Sequence, residues 1–156
     1  MTDTDFMRVA IEKTREGIAR GQSPFGSVIV RDGAVVAATH NTVWQTTDPT
    51  AHAEVNSIRA AATQLKTIFL TGCTLYSTTE PCPMCLSAIH WSRIERVVFG
   101  ATIADASAAG FHELFVPARD LAALGKSPLK VESGLLQAEC AALFDEWKRS
   151  GKARAY

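Results

Sequence analysis

Four side chains stand where they could do chemistry together: His52, Glu54, Cys82 and Cys85. In His52-Ala53-Glu54 an imidazole precedes a carboxylate by two residues, and in Pro81-Cys82-Pro83-Met84-Cys85 two thiols stand three apart. A three-residue spacing on a helix puts both cysteines on one face, within reach of a common ion. One neutral imidazole and two thiolates make a zinc donor set whose two negative charges balance the ion. The fourth tetrahedral position is then left to water, the mark of a catalytic rather than a structural site, where water ionises near neutral pH. Glu54 lies about 200° round a helix from His52, so it does not share the ligand position and is free to act as an acid and base beside the water. The competing readings are a zinc site closed by His90 or Cys73, and buried thiols with no metal. The two motifs occur in order, each at an expected helix start, and this weighs against both.

These residues need two helix starts at one edge of a sheet. Residues 5–20 carry Phe6, Val9, Ala10 and Ile18 among charges, a helical pattern that Gly21 ends. Phe25 to Val30 and Ala34 to Thr39 are apolar runs around Arg31-Asp32-Gly33, which predicts a hairpin with an Asp-Gly turn. The polar stretch from Asn41 to Thr50 reads as a loop closing on Asp48-Pro49. Thr50 is the expected N-cap of a helix from Ala51 to Gln64, so His52 and Glu54 fall in its first turn. Cys73 to Thr78 is β-prone, and Pro81 is expected to open the helix that carries Cys82 and Cys85.

Further strands are expected at Arg96 to Ala101 and Lys130 to Ser133, and a short helix from Pro117 to Leu124. A last helix, Leu135 to Lys148, shows Leu136, Cys140, Leu143, Phe144 and Trp147 on one stripe. The small residues after Thr102 give no clear pattern. This order predicts an α/β fold, a three-layer α/β/α sandwich around a central mixed five-stranded sheet, with ligands at the carboxyl ends of the strands.

Length and composition fit one catalytic domain over residues 1–156. Sixteen basic residues balance sixteen acidic ones, so net charge does not favour nucleic acid as a partner. The first twenty residues are charged throughout and contain no secretory core. No stretch approaches the ~18 apolar residues of a membrane span. Four cysteines without an export signal point to reduced thiols, metal binding and a cytoplasmic setting.

At its chemical residues the sequence resembles the cytidine-deaminase-like superfamily of zinc deaminases, whose signature is H-x-E followed by P-C-x-x-C. Within it, the branch of bacterial guanine deaminases and tRNA-specific adenosine deaminases is most similar. The likeness runs from Pro24 to Cys140. It rests on Pro24-Phe25-Gly26, Asn41, Asp48-Pro49-Thr50-Ala51-His52-Ala53-Glu54 and Glu80-Pro81-Cys82-Pro83-Met84-Cys85. It implies Zn2+ on His52, Cys82 and Cys85, with Glu54 as the catalytic carboxylate. Phe25, Asn41, Trp91 and the aromatic C-terminus at Tyr156 look more like the guanine enzymes, homodimers in which the tail can close the neighbouring subunit's pocket.

The substrate contacts implied are Asn41 to the base through its amide, Phe25 by stacking, and Glu113 to an amine, beside Trp91 and Tyr156. Each has a plainer alternative: Asn41 holding a loop, Phe25 in the core, and Glu113 solvated. His112 departs from the more usual acidic neighbour of Glu113. Trp91, six residues past Cys85 and about 240° round the helix, suits packing or a dimer contact. The favoured expectation is a zinc-dependent hydrolytic deaminase of a free nucleobase or nucleoside, guanine to xanthine plus ammonia. The alternatives are a tRNA-specific adenosine deaminase, motivated by Ser92 to Ala101 and by Lys148, Arg149, Lys152 and Arg154, and a non-catalytic zinc-stabilised interaction protein.

Overall fold

The computed structural model describes residues 1–156. Five strands, β1 (Gly26–Arg31), β2 (Ala34–His40), β3 (Cys73–Thr79), β4 (Arg96–Ala101) and β5 (Lys130–Ser133), form one sheet in the order β2-β1-β3-β4-β5. β1 is antiparallel to β2 and β3, while β3, β4 and β5 run parallel. The sheet is therefore mixed, as expected. The β1–β2 connection is a two-residue turn, Asp32-Gly33, with φ of 50° and 74°. Both values lie in the left-handed region that the tightest hairpin turn requires.

Strand alternation sorts the core into two halves. Val28, Val30, Tyr76 and Val98 face one side of the sheet. There they meet Phe6, Met7 and Ile11 of α1 (Asp3–Ala19) and Leu143, Phe144 and Trp147 of α7 (Gln137–Arg149). Ile29, Leu75, Val97 and Phe99 face the other. They pack against Ala61 of α3 (Ala53–Leu65), Leu86 and Ile89 of α4 (Pro83–Trp91), and Ala118 and Ala122 of α6 (Ala118–Leu124). This is the three-layer α/β/α sandwich that the order of elements predicts. No helix is long and apolar enough to cross a membrane.

Two short helices occupy stretches without a helical pattern. α2 (Val43–Thr46) is a single turn inside the polar segment, and α5 (Ile103–Ala108) begins at a capping box in which Thr102 and Asp105 exchange hydrogen bonds. Thr102 three residues before Asp105 is the signal that could have marked it, and α1 opens the same way with Thr2 and Asp5. Leu136, placed on the stripe of the last helix by sequence, is instead its N-cap, with φ of 50°.

Candidate active site

The two helices that carry the donors each start two residues later than expected. Thr50 does not cap α3, because both its backbone N–H and its hydroxyl donate to Asp48 Oδ1 in the preceding turn, at 2.8 and 2.7 Å. His52 is the N-cap of α3, with ψ of 156°, and Cys82 is the N-cap of α4, with ψ of 166°. Pro83 occupies the first turn of α4, where its missing N–H costs nothing. The extended backbone at each N-cap turns the side chain out of its own helix. His52 Nδ1 consequently lies 3.6 Å from Cys82 Sγ and 3.4 Å from Cys85 Sγ.

These three residues could hold a metal ion, their donor atoms all within 4.8 Å of one another. Nitrogen and sulfur ligands at zinc bond lengths and a tetrahedral angle sit about 3.6 Å apart, so the spacing fits the ion. The electrostatics fit as well. A hydrogen bond from Cys85 holds the Cys82 thiol down to about 4 against burial, with help from His52, while the same pairing and burial push Cys85 up. Burial pulls His52 down, but its bond to Cys82 and the nearby negative groups outweigh this and raise it. The trio thus shares protons that a dication would displace. His90 and Cys73, the alternative fourth ligands, lie elsewhere: His90 Nδ1 pairs with Ser127 Oγ at 2.8 Å, and Cys73 is buried in the core.

Glu54 is buried in the first turn of α3, beside the donors. Ser77 Oγ of β3 lies 3.1 Å from its Oε1 and 2.7 Å from Thr79 O, and Cys85 Sγ stands 3.5 Å from its Oε2. Burial first, then the Cys82 charge, raises its pKa above the ordinary carboxylate value, with His52 opposing. A cavity of about 380 Å³ opens over this group, with Phe25, Glu80, Phe111, Glu113 and Tyr156 among its walls.

Residues 1–101 match the cytidine and deoxycytidylate deaminase zinc-binding region. The chain belongs to this deaminase family. It is 45% identical to a guanine deaminase of Bacillus subtilis over 117 residues, 74% of this chain and 75% of the relative. It is 35% identical to a tRNA-specific adenosine deaminase of the same organism over 155 residues, 97% of this chain and 94% of that one. A solved structure of a guanine deaminase from Nitrosomonas europaea superimposes with a TM-score of 0.88 at 29% identity, covering 95% of this chain and 85% of the other. The protein is thus a zinc-binding deaminase.

Of the substrate contacts expected, this deaminase brings Phe25, Glu113 and Tyr156 to the cavity wall. Phe25 stacks edge-on against Phe111 with ring centroids 4.9 Å apart, so it serves core and cavity at once. Burial and the charge of Cys82 push Glu113 up to about 7. Asn41 is fully buried behind Tyr156. Its Oδ1 accepts from Val43 N–H at 3.1 Å, and its Nδ2 donates to the Tyr156 hydroxyl at 2.7 Å. Tyr156 lines the cavity of its own chain, tied also by its backbone oxygen to His112 N–H at 3.0 Å. Trp91 is 74% exposed at the far end of α4, beside His90 and Leu121, and does not line the cavity. Sequence reasoning missed Ser77, whose alternation on β3 faces Glu54, and gave no role to Glu80, although Glu80 adjoins Pro81-Cys82.

Proposed function

We propose that this deaminase acts on a free purine base and converts guanine and water to xanthine and ammonia. The observation that carries the reading is the charge of the cavity: the carboxylates of Glu54 and Glu113 line it, and no lysine or arginine does. A small base with several N–H donors suits carboxylate acceptors, whereas a polyanion needs cations at the mouth. Two similar solved structures, a mutant one with the guanine analogue 8-azaguanine and one with 2,6-diaminopurine, agree with it.

Zinc held by His52, Cys82 and Cys85 would supply a hydrolytic nucleophile from water at neutral pH. Glu54 accepts the proton released from that water and delivers it to the ring nitrogen beside the amine-bearing carbon, which gains the oxygen. A second proton passes through the same carboxylate to the amine, which leaves as ammonia. Phe25 and Phe111 offer aromatic faces to the base and exclude water, and Glu113 accepts from an N–H of the substrate.

Glu54→Gln retains the shape but not the base, and is expected to keep one zinc per chain while ammonia release from guanine falls at least about a hundredfold. Equal rates in variant and wild type would remove the carboxylate from the mechanism. The second reading, adenosine in tRNA, is favoured by Lys148, Arg149, Lys152 and Arg154 at and beyond the end of α7. Arg154, however, lies over the Trp44 ring at 3.9 Å, and Lys152 Nζ donates to Ala19 O at 3.0 Å, so both are already engaged. Turnover of an anticodon stem-loop, steeply lost with salt, in place of guanine turnover would establish that reading instead.

A further inference from the structure

Glu80 is a carboxylate of the cavity wall to which the deamination chemistry assigns nothing. Its backbone is fixed at the end of β3, where its N–H donates to Ala101 O at 2.8 Å and carries the β3–β4 pairing one step beyond Thr79 and Ala101. Its carboxylate reaches two separate chain segments. Oε1 accepts from Ala118 N–H at 2.9 Å, and Oε2 accepts from Ile103 N–H at 3.1 Å. Both are first-turn amides that a helix leaves without an internal partner. At α6 the N-cap is Pro117, whose side chain makes no capping bond; at α5 Thr102 caps Asp105 and not Ile103.

The segment between those two amides forms part of the cavity wall. It contains α5 and then Phe111, His112, Glu113 and Leu114, all four of which line the cavity. On the other side, Glu80 is separated from Cys82 only by Pro81. One carboxylate thus ties both ends of the wall to the strand end that leads into a zinc ligand.

We propose that Glu80 is a positioning residue that sets the separation between the metal donors and the Phe111–Glu113 wall, and through it the affinity for the base. The proposal rests on the reading of the cavity as the purine site. A carboxylate offers one oxygen to each amide, whereas a primary amide offers a single oxygen and would aim its own N–H groups at the second donor. Releasing either end lets the wall move without disturbing His52, Cys82, Cys85 or Glu54.

The test compares zinc-loaded wild type with Glu80→Gln and with Ala118→Pro. Beside a packing control, Ala118→Val, which adds bulk where Ala118 is buried but keeps its N–H, the second variant leaves the carboxylate intact and removes one of its partners at a first-turn helix position. In both, KM for guanine is expected to rise about tenfold while kcat changes less than about threefold, and amides of residues 103–118 to exchange about tenfold faster, the scale of one charged hydrogen bond lost. Zinc content stays at one per chain. Unchanged exchange over 103–118, or a lower melting temperature with KM unmoved, reduces Glu80 to a helix cap and overturns the proposal. If the wild type turns over no guanine, the substrate reading fails, and the exchange comparison still decides whether Glu80 holds the wall.

Discussion

Replacing Tyr156 by phenylalanine probes how the C-terminus is held. The aromatic ring stays, so its edge contacts with Phe111 and Trp44, at centroid separations of 5.4 and 6.0 Å, are kept. The hydroxyl is lost, and with it the partner of Asn41 Nδ2 at 2.7 Å. Burial raises the pKa of that hydroxyl, so it is protonated over the working range and the loss is of a neutral hydrogen bond. Asn41 is fully buried, and leaving its N–H without an acceptor costs about 1.5 kcal/mol. For a chain of this length that is a fall of roughly 3–6 °C in the melting temperature.

A double-mutant cycle with Asn41→Ala isolates the contact, because Asn41→Ala alone also frees Val43 N–H. The expected coupling is about 1 kcal/mol, well above the ~0.3 kcal/mol that independent sites show. Thermal melts of the four zinc-loaded proteins at two concentrations tenfold apart supply the cycle. A coupling within error of zero refutes the docking of Tyr156 on Asn41. A coupling that grows with concentration refutes docking within one chain, because a contact between copies is strengthened by mass action.

Two further outcomes concern the frame. Hydrogen bonds from Arg96 hold the carboxyls of Asp3 and Glu132 below their usual values. Carboxyls depressed in the folded state add stability that is complete above the unfolded value near about pH 4 and is lost as pH falls through the folded ones. The melting temperature should therefore drop below about pH 4.5, and drop less for Asp3→Asn; parallel curves for the two proteins would contradict this. At Gly26, an added Cβ would collide with Thr14 Oγ1 and the Ala10 carbonyl of α1, both buried against β1. Gly26→Ala is expected to cost about 2 kcal/mol, read as a lower urea midpoint, and an unchanged midpoint would show that α1 has room to move.

The layers were legible because alternation and helical stripes reflect burial, which dominates the fold. Phe6, Ile18, Leu143 and Trp147 announce the faces of α1 and α7, and all four are buried. The metal donors were legible because few residue types bind zinc and their spacing is constrained. The rest was not, for two physical reasons. α2 and α5 are too short to show a period and are held by local bonds such as the Thr102–Asp105 box. The position of Asn41 depends on a contact 115 residues away, with Tyr156, that no local pattern encodes. Trp91 stands out by residue type alone, and α4 carries it to the end remote from the donors.

The placement of His52 and Cys82 also explains why their helices look poorly started. An N-cap position favours serine, threonine, aspartate or asparagine, and an unsuitable residue there costs about 1 kcal/mol. Neither His52 nor Cys82 makes a capping bond with its side chain. Pro83 and the buried carboxylate of Glu54, in the first turns that follow, offset part of that cost by supplying a preset φ and a negative charge near a positive helix end. Two adjacent helices each give up a cap so that their first side chains can meet across the gap at 3.6 Å. A sequence that breaks the capping rule at two helix starts, with metal-binding residues in both places, has the form expected of a site selected for chemistry at some expense of stability.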